Sequence, residues 1–160
     1  MQSNLNVIEP MPIESIVRYI HFLGIFAIVG ALTIEHLLLK PQLTRAELRR
    51  LSIIDGIYGA GAIVAVAAGL TLWFGGIGKP TEFYSKNFVL HTKVTLVVIM
   101  GILSAFPTIF FLKNRKGASP EELVDVPKRI KMLVRIQLVL LLLIPLLATL
   151  MAKGVGYFGS

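Results

Sequence analysis

Four long apolar stretches alternate with short charged segments along this 160-residue chain. The stretches cover about residues 16–39, 53–74, 88–112 and 132–152. A helix that crosses a bilayer needs roughly 20 mostly apolar residues, and each stretch meets that length. The pattern predicts an all-α membrane protein, in which residues 1–160 form one domain built as a four-transmembrane-helix bundle.

Composition agrees with this pattern and narrows the classes of function. The chain is 55% hydrophobic, and its mean hydropathy of +0.77 is too high for a soluble domain of this size. The net charge of +7 sits in the loops, so we expect no nucleic-acid partner. The absence of cysteine excludes disulfides and thiolate chemistry. Residues 1–12 lack a basic start and an apolar core, so we expect no signal peptide.

Lysines and arginines lie mainly in the first and third loops. These loops, with the start of the fourth stretch, carry eleven of them, whereas the opposite side carries four. Loops rich in Lys and Arg stay in the cytoplasm, which predicts that both termini face outward. Within these loops, Thr44 and Glu47 have capping-box spacing, and Ser119 with Pro120 is typical of a helix start. We therefore expect a short interfacial helix in each cytoplasmic loop.

The second stretch carries a stripe of small residues, because Gly61, Ala65 and Gly69 recur every four positions. Such a stripe lets two helices approach closely. It also lets a flat cofactor reach the backbone, so it is a candidate cofactor-binding surface as well as a packing surface.

Two histidines are expected at similar depth in the bundle. His21 lies near the start of the first stretch and His91 near the start of the third, and these stretches run in the same direction. Two imidazoles on facing helices are suited to axial ligation of the iron of haem b. Another metal, or two separately hydrogen-bonded imidazoles, are the alternatives.

A second polar group is expected at the cytoplasmic end. His36 follows His21 by fifteen residues, or about 22 Å along a helix, so the two side chains do not share a metal. Glu35, His36, Asp55 and Arg135 form a predicted inner polar cluster, which would serve proton uptake, anchor an acidic ligand, or simply clamp the helix ends.

The single lysine within a stretch is Lys93, which points about 160° away from His91 around the helix. It either extends to the membrane surface or meets an acidic group. Lys93, Asp55 and Arg135 are the candidate catalytic residues.

Three segments resemble the small bacterial membrane protoporphyrinogen oxidases of the HemJ type. These are "RYIHFLGIFAIVG" with His21, "GLTLWF" with Gly69, and "NFVLHTKVTLVV" with the His91-x-Lys93 spacing. CopD-type copper-resistance domains share the general pattern, and the chain looks closest to an uncharacterised bacterial four-span family. The Arg-Asn-Glu segment of the HemJ-type last helix has no full counterpart, because "RIQLVLLLLIP" keeps Arg135 and Pro145 but has no glutamate.

The resemblance implies a multi-pass protein of the bacterial cytoplasmic membrane that binds haem b. It implies an oxidoreductase that passes electrons from a reduced substrate to a quinone or a respiratory partner. Two other functions stay open on the residues: a cofactor-free structural or accessory subunit of a membrane complex, and a copper-handling membrane domain. A homo-oligomer is compatible with each of them.

Overall fold

The computed structural model describes residues 12–77 and 79–158. Within these ranges the chain forms four long helices, one short helix and one pair of short strands. In chain order they are α1 (Ile13–Leu38), β1 (Gln42–Thr44), α2 (Arg45–Phe74), α3 (Thr81–Ser85), α4 (Phe88–Asn114), β2 (Leu123–Asp125) and α5 (Lys128–Ala152). All four long helices are long and apolar enough to cross a membrane, which confirms the predicted helical membrane fold.

The second helix begins eight residues before the predicted apolar stretch, at a capping box. The backbone N–H of Glu47 donates to the hydroxyl of Thr44 at 3.2 Å, and the carboxylate of Glu47 accepts from the backbone N–H of Thr44 at 2.8 Å. The capping box is therefore confirmed. The separate interfacial helix expected in the first loop is wrong, because the capped charged turns continue directly into α2.

The third loop also differs from the sequence prediction. Residues 115–127 contain no helix, and β2 instead pairs antiparallel with β1, with Leu43 opposite Val124. Ser119 accepts a hydrogen bond from the backbone N–H of Glu121 at 3.3 Å, but the chain turns there and does not continue as a helix. The predicted interfacial helix is wrong because the extended β1 edge satisfies the backbone of this segment.

The four long helices pack in the order α1, α2, α4, α5 around the bundle, with α5 returning to α1. Consequently α1 and α4 occupy opposite corners. Large apolar side chains on the outer surface are widely exposed, as at Phe26, Ile63 and Leu142. Such a surface is stable against lipid but not against water.

The stripe of small residues on α2 packs against α1. A Cβ atom added at Gly24 would lie only 2.7 Å from the backbone nitrogen of Ala65, and one added at Gly61 would lie 2.9 Å from the carbonyl oxygen of Gly24. Ala65 is buried, whereas its neighbour Val64 is 40% exposed. The stripe thus brings two backbones together, as small residues do in membrane helix pairs.

The bundle has two distinct ends. The sheet end, where β1 and β2 lie, is closed by a compact apolar core that includes Leu43, Leu48, Phe111 and Val134. The opposite end carries α3 and residues 153–158, where the backbone of Phe88 donates to the carbonyl of Gly156. The Lys/Arg count continues to predict that the sheet end faces the cytoplasm.

Candidate functional site

Two buried carboxyl groups lie between the helices in the half of the bundle nearer the sheet end. Glu35 on α1 is 2% exposed and Asp55 on α2 is 6% exposed. The two groups are close enough for their charges to interact. Glu35 is buried because it continues the face of α1 that contains Ala31 and Leu32, the face packed into the bundle. An acidic pair in such a position is costly and is a candidate functional site.

Asp55 is held by a hydroxyl from α4. The Oγ1 atom of Thr108 lies 3.0 Å from Oδ1 of Asp55 and 2.9 Å from the carbonyl oxygen of Ser104. A threonine hydroxyl has one proton to donate but two lone pairs to accept with. Thr108 therefore donates to one of these oxygens at a time.

Further polar groups from α2, α4 and α5 surround the carboxyl pair. The hydroxyl of Tyr58 donates to Oε1 of Gln137 at 3.1 Å, and both residues are buried. Ser52, one turn before Asp55 on α2, accepts from Nη1 of Arg115 at 3.1 Å. Each long helix thus places polar groups inside an otherwise apolar bundle, α1 through Glu35 and the other three through these separate hydrogen bonds.

Two atoms of this region are buried without a hydrogen-bond partner among the described residues. They are Oε1 of Glu35 and Nδ1 of His36. Buried polar atoms are normally paired, so an unpaired one indicates strain or a functional role. Glu35 is the more deeply buried of the two residues.

Comparison with protein-family models matched residues 13–156 to the family DUF2214, described as a predicted membrane protein. The chain belongs to this family. The comparisons found no match among curated proteins and none among solved structures. The match shows no link to the HemJ type or the CopD type, and the resemblance to those two stays a prediction.

The predicted inner polar cluster of this DUF2214 protein is only partly assembled. The structure brings Glu35 and Asp55 together, and His36 follows Glu35 at the same end of α1. Arg135, in contrast, is exposed on α5 and makes no ion pair with a described residue. The cation nearest the network is instead Arg115, at the end of α4, through its bond to Ser52.

His21 lies in the seam between α1 and α2. Its Nδ1–H donates to the carbonyl oxygen of Ala65 at 2.7 Å, which leaves Nε2 free. The ring also fills the space above Gly69, where an added Cβ would lie 3.3 Å from the ring carbon Cε1. The surface of the small-residue stripe is therefore occupied by α1 and by this imidazole.

His91 and Lys93 point in different directions, as their spacing predicts. His91 is exposed, its Nε2–H donates to the carbonyl of Ser85 at 2.8 Å, and its ring meets the edge of Trp73. Lys93 is half-buried on α4. Haem ligation by His21 and His91 stays a prediction.

Sequence reasoning missed the neutral members of the network, which are Ser52, Tyr58, Ser104, Thr108 and Gln137. Hydroxyl groups are common in membrane helices because they bond to their own backbone, as Thr108 does to Ser104. Gln137 carried the clearest overlooked signal, since an amide in an apolar stretch demands a partner. Among residues 12–77 and 79–158, no three His, Asp or Glu side chains converge on a metal position.

Proposed function

We propose that the Glu35–Asp55 pair binds a proton inside the membrane and takes it up from the sheet end of the bundle. The observation that carries this proposal is the position of the Thr108 hydroxyl between Asp55 and the carbonyl of Ser104. When Asp55 is ionised, Thr108 donates to it. When Asp55 is protonated, Asp55 donates to Thr108, which then donates to Ser104.

Both protonation states of Asp55 are therefore fully hydrogen-bonded with the same heavy-atom positions. This arrangement allows a proton to be bound and released without repacking the helices, because no buried group loses its partner in either state. A purely structural carboxylate would instead be matched to a fixed cation. No lysine or arginine forms an ion pair with Glu35 or Asp55 in the described ranges.

The pair also needs a positive partner. Two unpaired negative charges in a low-dielectric region repel each other and lose their hydration, so one bound proton removes the repulsion by reducing the charge of the pair from −2 to −1. The route to the sheet end passes Ser52, which lies one helical turn from Asp55 and meets Arg115 at the mouth of the bundle. His36, near the end of α1, borders the same end.

Infrared difference spectroscopy on the reconstituted protein tests this function. A pH step should change the band of a protonated carboxyl group, and both Glu35→Gln and Asp55→Asn should remove or shift that band. Thr108→Val should move its titration, since the hydroxyl that stabilises the ionised state is lost. Glu82→Gln is the matched control, because Glu82 is an exposed acid at the opposite end.

Two results would contradict the proposal. An unchanged band in both Glu35→Gln and Asp55→Asn would place the titrating group elsewhere. Loss of the band on addition of sodium at constant pH would replace the proton by a monovalent metal cation as the bound species.

A haem-b redox function is the second candidate, and one observation favours it. Nδ1 of His21 is bonded to a backbone carbonyl and Nε2 is free, which is the arrangement typical of a metal-ligating histidine. His91 would be the other ligand through its Nδ1, which has no hydrogen bond to a described residue. A bound haem would supply one-electron transfer to a quinone or a respiratory partner.

The absorbance spectrum of the purified protein decides this second candidate. A Soret band that is lost in His21→Ala and in His91→Ala but kept in His36→Ala would support it. Protein isolated from haem-sufficient cells without such a band would contradict it. The carboxyl band of the infrared experiment is independent of this spectrum.

A further inference from the structure

A basic cleft lies at the sheet end of the bundle, outside the buried carboxyl network. It has a volume of about 350 Å³ and is lined by Arg49 at the start of α2 and by Arg115 and Lys116 at the end of α4. We propose that this cleft binds a phosphate-bearing anion, either the headgroup of an anionic phospholipid or free phosphate.

The three cations of the cleft are not neutralised by the protein. The ion pairs among the described residues join other partners, and none includes Arg49, Arg115 or Lys116. Unpaired cations around one concave space repel each other, so an anion at their centre is stabilised by all three. A guanidinium group matches the oxygen geometry of phosphate with paired N–H donors.

The neighbouring Arg45, in contrast, is neutralised by the protein. Arg45 forms a two-pronged ion pair with Glu122, with N–O distances of 2.6 and 2.8 Å. Its Nη1 also donates to the carbonyl oxygen of Asn114 at 2.9 Å and to that of Lys116. Four of its five N–H donors are thus engaged by protein, and it takes no part in lining the cleft.

Arg45 also fixes the wall that carries two of the cleft cations. Its bonds to the carbonyls of Asn114 and Lys116 hold the chain just after α4 against the start of α2. The chain passes at Gly117, where an added Cβ would lie 1.9 Å from the guanidinium nitrogen of Arg45. Arg115 is oriented in turn by its bond to Ser52. The backbone at Lys116 and the side chain of Arg115 are therefore held in place at the cleft.

The volume of the cleft and its level in the membrane fit a phosphate-bearing headgroup. A volume of about 350 Å³ lies at the lower end of the range for small-molecule sites, larger than a phosphate ion alone requires. The cleft opens where α2 begins and α4 ends, which is the level of lipid headgroups for helices of this length. Basic pockets between transmembrane helices at this level are suited to anionic headgroups.

Lipid and phosphate binding to the purified full chain tests the proposal. Phosphatidylglycerol in nanodiscs, with phosphatidylcholine as the neutral comparison, is one probe, and inorganic phosphate added in detergent is the other. The double variant Arg49→Gln/Lys116→Gln should weaken binding of the effective probe about 30-fold, from roughly 1 kcal/mol for each basic side chain. It leaves Arg115 and its bond to Ser52 in place.

Arg50→Gln/Lys113→Gln is the matched control. It removes the same two charges from the same end of the bundle, but neither residue lines the cleft. The control should retain binding to within a few-fold. A response to phosphatidylglycerol alone identifies a lipid headgroup site, and a response to inorganic phosphate identifies a soluble anion. Equal weakening in the two double variants, or no response to either probe, would overturn the proposal.

Discussion

The seam between α1 and α2 has two halves that treat polar residues in opposite ways. In the half farther from the sheet end, His21 donates to the carbonyl of Ala65, and the backbones of α1 and α2 are in close contact at Gly24 and Gly61. Toward the sheet end, the same two helices enclose Glu35 and Asp55, and one oxygen of Glu35 has no partner in the described protein.

The difference separates a structural polar residue from a functional one. A half-buried imidazole bonded to a fixed carbonyl already has a protein partner. A buried carboxyl pair without a cation is incomplete, and its surroundings accept either of two proton arrangements. The carboxyl groups are also more deeply buried than the imidazole, so burial and hydrogen-bond partners both distinguish the two halves.

The largest expected effect comes from a substitution in the half of the α1–α2 seam where the two backbones are closest. Gly24→Ala should lower the free energy of unfolding by about 1–3 kcal/mol, because the added methyl group meets backbone atoms of α2 below 3 Å. Gly30→Ala is the control on the same helix, where an added Cβ meets nothing within 4 Å. Unfolding in detergent measures both variants. Equal stability of the two would show that α1 and α2 are further apart than described.

A smaller loss is expected from the histidine in the same half. His21→Ala should cost about 1 kcal/mol, since it removes one hydrogen bond and leaves space above Gly69. Leu23→Ala, at a position 47% exposed to lipid, should cost less. The same unfolding assay applies. A His21→Ala variant as stable as Leu23→Ala would remove the structural role of the imidazole.

In the sheet-end half of the seam, removing the acidic group of Glu35 should cost little stability. Glu35→Gln should change the free energy of unfolding by about 1 kcal/mol or less, because the substitution conserves the side-chain volume and Glu35 forms no ion pair with a described residue. The variant should nevertheless lose the titrating carboxyl band. A loss of several kcal/mol in Glu35→Gln would instead make this residue a structural member of the core and erase the contrast between the halves.

The smallest expected effect concerns the ion pair between Arg45 and Glu122, which joins the start of α2 to the third loop at the sheet end. The hydrogen bond from Arg45 lowers the pKa of Glu122 below its usual range. A lowered pKa means that the ionised form stabilises the fold above the unfolded value, about 4.3 for glutamate, and that this contribution is lost as pH falls through the folded value. Hydrogen exchange of Val126, whose N–H bonds to Pro41, should therefore accelerate in acid beyond its intrinsic rate.

Glu122→Gln is the control for this pH effect. Its exchange should already be faster at neutral pH and should show no further change at acid pH. The same acid acceleration in Glu122→Gln as in the native chain would assign the titration to another group.

The hydrophobic pattern was sufficient for the four helices, because a bilayer demands a long apolar helix wherever about 20 apolar residues follow one another. Local chemistry also predicted the capping box at Thr44, since its two bonds join residues three positions apart. The spacing of Gly61, Ala65 and Gly69 predicted a smooth helix face in the same way.

Only the tertiary structure decided what these local features meet. The pairing of β1 with β2 joins segments about 80 residues apart, so neither loop alone distinguished a strand from a helix. The partners of Asp55, Tyr58 and Ser52 all lie outside α2, on α4, on α5 and at Arg115 just after α4. The sequence alone determined which residues are costly in a membrane. The packing of the helices decided which of these residues have hydrogen-bond partners. A hydrogen bond requires a distance of about 3 Å between two atoms, and the helical period does not specify distances between different helices.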